Sequence, residues 1–418
     1  MSSSLVLLLL AVLSAAVGLA ATRTVRRRHG RLLAAAVGAV TTLALLAGST
    51  VGWAHLSVDR SGTARAIAWM DADVDDIDRF PARRIPAGRT VLPLRTAALP
   101  PGTLDEVTVA GRTRSLAGLV ESTETEVLLV LRDDEVVHER YANGGGPDRS
   151  HTSFSVAKSF LSTLVGIAVD RGDVRSLDDP VTDYLPELLD SDERFRRITL
   201  RHLLSMSSGI CYSEHGTPWS DDAVTYYSTD LRATALSARI CEPPGRTWVY
   251  DNYNPLLVGM ALERATGTDV ADYAGEHLWG PAGMEADGSW SLDSEASGFE
   301  KMESGVNARP RDFARLGYLF AHEGRVGNRQ VVSAEWVREA TARDTSADPA
   351  EHYQLWWWVD TEREGRFFAR GNKGQFVYVD PATDVVAVRL GRDHGGVDWP
   401  EVLRDVTDRV NESSTVEP

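Results

Sequence analysis

The stretch HTSFSVAKSFLSTLVGIAVDRG, residues 151–172, decides how the rest of the chain is interpreted. Its apolar residues recur every three or four positions from Val156 to Leu164 and beyond, and Gly172 follows the last turn. This spacing predicts a buried helix, because the apolar side chains share one face and a glycine is a common helix stop. Ser155 then lies at the first turn, where unpaired backbone N–H groups and the positive end of the helix dipole meet.

Lys158 follows Ser155 by three residues, so a helix places the hydroxyl and the amine on the same face. This S-x-x-K spacing brings the two groups close enough for proton exchange, which a serine nucleophile requires. Of the 44 basic residues only three are lysines, Lys158, Lys301 and Lys373. Arginine keeps its proton whereas a desolvated lysine can lose it, so a lysine in an apolar helix favours a chemical role. The alternative is a lysine at the helix start that extends to solvent.

The apolar residues of the chain are concentrated at its beginning. Leu5–Ala21 is an unbroken uncharged run, and Leu32–Leu56 is a second one, interrupted only by weakly polar residues. Each run is long enough to cross a hydrocarbon layer of roughly 30 Å as a helix. We therefore predict that residues 1–56 form a membrane hairpin of two transmembrane helices, in contact with the lipid bilayer through residues 5–22 and 32–56.

The segment between the two runs, ATRTVRRRHGR, predicts their orientation. It carries Arg23, Arg26, Arg27, Arg28 and Arg31. Because positively charged loops remain in the cytoplasm, we expect a multi-pass protein of the cell membrane whose domain after residue 56 is extracytoplasmic. A cleaved signal peptide is the main alternative for the first run, but a signal needs basic residues before its apolar core, and none precedes the first of these arginines.

Charge and composition exclude several kinds of partner. The formal net charge of −16 becomes more negative for the exported part once the arginine loop is set aside, which argues against nucleic acid and anionic lipid surfaces. The ten histidines show no metal-ligand spacing, and no phosphate-binding glycine motif precedes a helix, so we expect neither a metal nor a cofactor. Cys211 and Cys241 both lie in the exported part, where a disulfide is permitted; two buried thiols are the alternative.

The order of elements after the membrane segment predicts the fold class. Residues 57 to about 118 mix Pro, Gly, Arg, Asp and Thr, and we predict a juxtamembrane linker over 57–89, followed by one domain over 90–418. Two hairpins, at 126–141 and 375–390, lie near the two ends of that domain. We therefore predict an α/β (α+β) fold, an antiparallel sheet flanked by helices and built from both ends of the domain, with an all-helical insert at about 172–300.

Five segments carry a resemblance to a known family. They are SVAK at 155–158, ITLRHLLSMSSGI at 198–210, PPGRTWVYDN at 243–252, NARPRDFARLG at 307–317 and RGNKGQFVYVDP at 370–381. In this order they resemble the penicillin-recognising serine hydrolases, specifically the class C β-lactamase-like branch that includes 6-aminohexanoate-dimer hydrolases. The resemblance covers roughly residues 90–412 and implies a β-lactamase/transpeptidase-like fold.

The resemblance implies roles for individual residues. Ser155 matches the acylated nucleophile and Lys158 its base partner, and Tyr250 matches the tyrosine of the family's Y-x-N motif. A tyrosine beside an ammonium group loses its proton more easily, so Tyr250 and Lys158 could share and relay a proton. Asn252 of the same motif would hold substrate amide groups. The alternative for Tyr250 is a core aromatic residue beside Trp248.

The third motif departs from the commonest family form. Many relatives carry K-T-G or H-T-G, whereas this chain has Gly371, Asn372 and Lys373 in the sequence GNKGQ, similar to the G-x-x-G-Q form of the 6-aminohexanoate-dimer hydrolase branch. That match implies an oxyanion hole formed by the backbone N–H groups of Asn372 and Ser155, with Gly371 allowing close backbone approach. Lys373 either binds a substrate carboxylate or is a solvated loop lysine.

Taken together, these patterns predict a membrane-anchored, extracytoplasmic serine hydrolase that cleaves an amide or ester through an acyl-enzyme on Ser155. Its substrate would be a small molecule or a peptide. Without K-T-G we rank a linear amide or ester above penicillins, with a carboxylesterase and a D-alanyl-D-alanine peptidase or β-lactamase as alternatives. A different class of function is a penicillin-binding sensor module that is acylated once without turnover. His202 is predicted to be a packing histidine rather than a catalytic base.

Overall fold

The structure is a computed structural model that describes residues 3–27, 30–344 and 350–414. Within these ranges the helices are α1 (Ser3–Arg26), α2 (Arg31–Ser57), α3 (Gly62–Trp69), α4 (Leu116–Ser122), α5 (Val156–Arg171), α6 (Leu200–Leu204), α7 (Asp221–Tyr227), α8 (Leu231–Leu236), α9 (Tyr253–Thr266), α10 (Val270–Ala274), α11 (Pro310–Ala321), α12 (Ala334–Thr341) and α13 (Trp399–Ser414). The strands are β1 (Ala82–Ile85), β2 (Arg95–Thr96), β3 (Glu106–Val109), β4 (Arg112–Ser115), β5 (Thr125–Arg132), β6 (Glu135–Tyr141), β7 (His151–Thr152), β8 (Gly288–Ser291), β9 (Val306–Ala308), β10 (Arg325–Val326), β11 (Arg329–Gln330), β12 (Tyr353–Gln354), β13 (Trp357–Val359), β14 (Phe367–Gly371), β15 (Gln375–Asp380) and β16 (Val385–Gly391).

The chain divides into two units, of which the first joins Met1–Ala72 with Ser213–Thr229. In it α1 and α2 pack closely, because a methyl group on Gly18 would lie 2.7 Å from the carbonyl oxygen of Gly38. Both helices are long and apolar enough to cross a membrane. Of the arginines predicted to lie between them, Arg28 is outside the described residues.

The later segment of this first unit packs against α3. The Arg65 guanidinium, which is buried, donates to the carbonyl oxygens of Val58 at 2.8 Å and Ser228 at 3.4 Å. The ring of Trp69 meets that of Tyr227 edge-on, with centroids 6.1 Å apart. Helix α3 is therefore tied to a segment more than a hundred residues later in the chain.

The second unit, Asp73–Tyr212 with Asp230–Pro418, is built on an eight-stranded sheet among the residues that the structure describes. Its order is β12-β13-β14-β15-β16-β5-β6-β2, antiparallel except for the edge strand β2, which runs parallel to β6. The two predicted hairpins are confirmed as β5–β6 and β15–β16, and they meet where β16 pairs with β5, Val386 opposite Leu131. The sheet therefore joins the two ends of the domain, as the sequence predicts.

Helices cover both faces of this sheet, which confirms the predicted architecture. On one face Phe160 of α5 packs edge-on against Phe313 of α11, with ring centroids 6.0 Å apart. On the other face Trp399 and Leu403 of α13 belong to a separate core with Phe376 of β15. Strands β5, β15 and β16 are buried on both faces as a result.

A smaller sheet in the second unit has the order β1-β8-β9-β7. Its strand β1 pairs with β8, Ala82 opposite Ser291, so regular structure begins inside the segment predicted as a linker, residues 57–89. That segment also contains α3. The region predicted as a helical insert, about 172–300, contains α6 to α10 and ends with β8. Strand β7 of this sheet leads directly into the turn before α5.

Candidate active site

Ser155 lies at the start of α5, at the end of a strained turn. Phe154 before it has a φ of 42°, which a side chain with a Cβ rarely adopts. Ser153 holds this turn, because its N–H donates to the carbonyl oxygen of Val306 at 2.8 Å and its Oγ donates to that of Phe154 at 2.9 Å. Strained backbone that is held on several sides is typical of functional sites. The turn fixes the position of the Ser155 hydroxyl at the end of the helix.

Lys158 lies one turn into α5 and is only 1% exposed. Its Nζ is within hydrogen-bonding distance of three oxygens, Ser155 Oγ at 3.0 Å, Asn252 Oδ1 at 2.9 Å and the Glu303 carbonyl oxygen at 2.9 Å. An ammonium group would donate to all three, whereas the neutral amine donates to Asn252 and Glu303 and accepts the hydroxyl proton of Ser155. The direct contact with Ser155 allows a proton to pass between the two residues.

Tyr250 lies beside the same ammonium group. Its ring centroid is 4.8 Å from Lys158 Nζ, a cation–π distance, and its ring stacks on Trp358 with centroids 6.0 Å apart. Tyr353 packs edge-on behind it, and burial raises the pKa of that second phenol well above its usual range. The Tyr250 hydroxyl has no hydrogen-bond partner among the described residues, so it remains available to a bound molecule.

Asn252 connects Lys158 to a residue that the sequence analysis does not single out. Its Oδ1 accepts from Lys158, and its Nδ2 donates to the hydroxyl of Tyr212 at 2.9 Å. Both ends of this amide are engaged inside the protein, so it orients the ammonium group. Tyr212 is adjacent to Cys211, which forms a disulfide with Cys241, their Cα atoms 5.1 Å apart.

The turn between β14 and β15 approaches Ser155 through Gly371. A methyl group at Gly371 would lie 2.3 Å from the Ser153 carbonyl oxygen and 3.1 Å from the Ser155 nitrogen, so only glycine fits there. The next residue, Asn372, is exposed, and its Oδ1 accepts from the N–H of Lys373 at 2.8 Å. Lys373 is half-buried, with no ion pair among the described residues. The residues predicted from the GNKGQ motif therefore lie together beside the start of α5.

A buried arginine of β16 binds the backbone of this turn. The Arg389 guanidinium donates to the carbonyl oxygens of Lys373 at 2.8 Å and Gly374 at 2.7 Å. Its remaining N–H groups donate to Thr123, Thr125 and Asp393. Burial lowers the pKa of Arg389 to about 9, which leaves it protonated at neutral pH. No sequence motif indicates this role; the available signal is an arginine within the apolar strand VVAVRLG.

Two further features of the sequence are His202 and the run of three tryptophans at 356–358. His202 Nδ1 accepts the N–H of Thr199 at 3.1 Å at the start of α6, and burial lowers the pKa of this imidazole. His202 thus caps a helix. In the run of three tryptophans, Trp356 and Trp357 are core residues, whereas Trp358 is half-buried and stacks on Tyr250.

Most of the chain matches known proteins. A family model described as Beta-lactamase matches residues 112–407. The 6-aminohexanoate-dimer hydrolase of Paenarthrobacter ureafaciens is 30% identical over 318 residues, which are 70% of this chain and 77% of that protein.

Solved structures share the fold. One, described as a putative 6-aminohexanoate-dimer hydrolase from Bacillus anthracis, superposes with a TM-score of 0.71 at 21% identity and covers 81% of this chain and 92% of its own. Another, described as a putative beta-lactamase from Bacteroides dorei DSM 17855, gives a TM-score of 0.58 at 22% identity, over 69% of this chain and 94% of its own. The family match begins after both apolar helices.

Proposed function

This chain belongs to the beta-lactamase family and is a serine hydrolase of that fold, and from this premise we propose that Ser155 is its nucleophile. The observation that carries the proposal is the contact of 3.0 Å between Ser155 Oγ and Lys158 Nζ at the start of a buried helix. The hydroxyl is held at a helix start, and the amine is desolvated. Both conditions favour nucleophilic attack by a serine.

The proposed reaction is acyl transfer to water. Ser155 Oγ attacks the carbonyl carbon of an amide or ester, and its proton passes to Lys158 and Tyr250. The backbone N–H groups of Ser155 and Asn372 hold the oxyanion, where each such donor contributes about 3 kcal/mol of transition-state stabilisation. The leaving amine or alcohol departs with the proton. Water then attacks the acyl-serine, gives a proton to the same pair, and the acid is released as Ser155 regains its own proton.

The residues around Lys158 are suited to this proton transfer. The face of the Tyr250 ring lies towards the amine, so it favours the cation that forms when Lys158 accepts a proton. Asn252 and the Glu303 carbonyl hold the amine in place while the contact with Ser155 changes. The free Tyr250 hydroxyl is the group of this pair that can face the leaving group.

We propose a linear amide or ester as the substrate class, ahead of a β-lactam. This rests on the absence of K-T-G in the third motif and on the relative named as a 6-aminohexanoate-dimer hydrolase. Tyr250, which lies beside Lys158, packs on two further half-buried aromatic residues, Trp248 and Trp358, and this group suits an apolar part of such a substrate. Esters and amides use the same machinery, so a carboxylesterase activity belongs to the same proposal.

We also propose that α1 and α2 cross the cell membrane and that the hydrolase domain is extracytoplasmic. Their length and apolar composition support the spans, and the arginine-rich segment between them supports a cytoplasmic loop. The disulfide between Cys211 and Cys241 fits an oxidising compartment. In this arrangement residues 1–56 are the membrane hairpin and residues 90–418 the hydrolase domain.

The decisive test combines labelling with turnover. A fluorophosphonate probe should label Ser155, identified by peptide mass spectrometry, and Ser155→Ala should abolish both labelling and hydrolysis. Ser122→Ala, at the exposed end of α4, is the matched control and should behave as the wild type.

The substrate class is tested with a panel of p-nitrophenyl acetate, a 6-aminohexanoate dimer, a D-alanyl-D-alanine peptide and nitrocefin. We expect the linear substrates to give the highest kcat/KM, which reports transition-state recognition. Nitrocefin as by far the best substrate would contradict the ranking. Labelling of Ser155 without turnover of any of the four would contradict the hydrolase and favour a sensor.

A further inference from the structure

A buried ion pair lies directly next to the candidate base. Lys301 is 1% exposed and Glu303 is also 1% exposed, and Lys301 Nζ lies 3.0 Å from Glu303 Oε1. Lys301 is one of only three lysines in the chain, and the other two, Lys158 and Lys373, lie in the site. Neither Lys301 nor Glu303 belongs to any of the motifs described above.

Glu303 contacts the candidate base through its main chain. Its carbonyl oxygen accepts from Lys158 Nζ at 2.9 Å, while its carboxylate is held by Lys301 and by the hydroxyl of Ser304 at 2.8 Å. Glu303 Oε2 has no hydrogen-bond partner among the described residues. One residue therefore presents a backbone oxygen to Lys158 and a charged group to Lys301.

The turn that carries Glu303 is held at both ends. The Lys301 carbonyl oxygen accepts the N–H of Ser304 at 3.1 Å and of Gly305 at 2.7 Å, and it also accepts the indole N–H of Trp290 at 2.9 Å. The ion pair closes the same turn on its side-chain face. The position of the Glu303 carbonyl, and with it that of Lys158 Nζ, depends on this arrangement.

Stability alone is a weak reason for such a pair. The desolvation free energy of two buried charges often equals or exceeds their electrostatic attraction. Apolar residues of similar size would therefore stabilise the core equally well. The pair has no net charge, so it adds no net bias to the proton on the neighbouring Lys158. Loss of either partner would change the net charge close to that amine by one unit.

We propose that Lys301 and Glu303 are positioning residues that hold Lys158 in place and balance the charge around it. This inference rests on the proposed role of Lys158 as the base partner of Ser155. The other titratable or charged groups on the segments around Lys158 are Tyr212, Tyr250, Asp251, Tyr353, Arg370 and Lys373. The test leaves all of them unchanged.

The test is the pH dependence of Ser155 labelling by a fluorophosphonate in the full-length protein in detergent. The acid limb of this profile reports deprotonation of the coupled Lys158 and Tyr250 groups. In Glu303→Gln one negative charge near Lys158 is removed while the Lys301 ammonium remains, so a proton on Lys158 becomes less favourable and the limb should move to lower pH. In Lys301→Met the unpaired Glu303 carboxylate favours that proton, so the limb should move to higher pH. We expect each displacement to be about one pH unit.

The double variant Lys301→Met/Glu303→Gln, in which both charges are absent, should return the limb towards the wild-type position. A purely structural role would lower the labelling rate in all three variants without moving the limbs apart. Limbs that stay at the wild-type position, or that move in the same direction, overturn the proposal.

Labelling counts only folded sites, and Glu303→Asp, which keeps the charge, extends the test if Glu303→Gln does not fold. In Glu303→Asp the carboxylate remains but its position changes. The acid limb should therefore stay at the wild-type pH while the labelling rate falls. A displaced acid limb in this variant would contradict the role in charge balance. Ser155→Ala measured in parallel separates the two proposals. If Ser155→Ala is still labelled on the same peptide and still hydrolyses substrate, the proposed function fails. If Ser155→Ala is inert but the acid limbs of the Glu303→Gln and Lys301→Met variants do not separate, only this inference fails.

Discussion

Lys158 is a buried amine whose head group fits three acceptors and whose chemistry depends on losing a proton. Arginine at this position would keep the charge and donate similar hydrogen bonds, but it cannot give up its proton. We therefore expect Lys158→Arg to lower kcat/KM for p-nitrophenyl acetate by roughly 10²–10⁴-fold, the usual contribution of a positioned acid or base. Circular dichroism should show a folded protein. Arg171→Lys, at the far end of the same helix, is the control, and equal activity of Lys158→Arg and the wild type would exclude Lys158 as a base.

Sequence spacing is informative at the residue scale where side chains supply the chemistry. The helical period placed Ser155 and Lys158 together, and the structure has them in contact. Glu303 and Tyr212 could not be found in this way. Glu303 reaches Lys158 through a backbone oxygen, which every residue type possesses, and Tyr212 acts through Asn252 from a distant segment.

At the scale of elements, the turn between β14 and β15 is fitted to the start of α5 with no space for a side chain. In Gly371→Ala the new methyl group would lie 2.3 Å from the Ser153 carbonyl oxygen, so the turn must move away from Ser155. Displacement of one proposed oxyanion donor should lower kcat by about 10²–10³-fold with a smaller change in KM. Gly146→Ala, where a methyl group meets nothing within 4 Å, is the control. Unchanged steady-state kinetics in Gly371→Ala would argue against an oxyanion hole at this turn.

The strand that enters the site, β7, is held to β5 by a buried carboxylate. Glu126 Oε2 lies 3.1 Å from His151 Nδ1, and Glu126 Oε1 lies 3.2 Å from Arg149. Burial alone would raise the pKa of Glu126, but the hydrogen bond from His151 and the charges of His151, Arg149 and Arg392 outweigh it, so the pKa is lowered. A lowered folded-state pKa contributes stability above the unfolded value, near 4.5, and that contribution is lost as pH falls through the folded value.

Glu126→Gln should accordingly destabilise the protein by about 3 kcal/mol at pH 7, the usual loss when one partner of a buried pair is removed. The difference from the wild type should shrink as the pH falls below 4.5 and through the lowered folded-state pKa, because the wild-type carboxyl then becomes protonated as well. Urea unfolding at a series of pH values from 7 downwards measures this. Glu121→Gln, an exposed partner of Arg140, should change stability by less than about 1 kcal/mol. A difference that does not depend on pH would show that the carboxylate charge is not involved.

Element prediction from sequence worked where apolar patterns are long. Both predicted hairpins of the main sheet are present, as β5–β6 and β15–β16. Strand β1 was not visible, because its sequence ARRI is short and mostly polar and its partner β8 lies about two hundred residues later. Pairing of this kind depends on tertiary contacts, which no local pattern contains.

At the scale of the molecule, the first unit also depends on contacts between distant segments, which no local sequence pattern contains. Ser213–Thr229 lies within the sequence of the hydrolase but groups with the segment Met1–Ala72, through the packing of α7 on α3. Its composition does not distinguish it from the surrounding loops, so the sequence placed it in the helical insert. The hydropathy of α1 and α2, by contrast, was evident, because a membrane span is a property of one continuous segment.

The topology is the last prediction and concerns the whole chain. If the arginine-rich segment is cytoplasmic, external protease added to intact cells should digest the hydrolase domain, while an epitope tag inserted next to Arg27 should stay protected until the cells are permeabilised. A cytoplasmic marker protein that survives the treatment serves as the control for cell integrity. The disulfide provides a second readout, because Cys211 and Cys241 in an oxidising compartment should react with a maleimide only after reduction. A domain that resists external protease in cells whose tag is digested would reverse the orientation, since the positive charge between the two helices would then lie outside the cell.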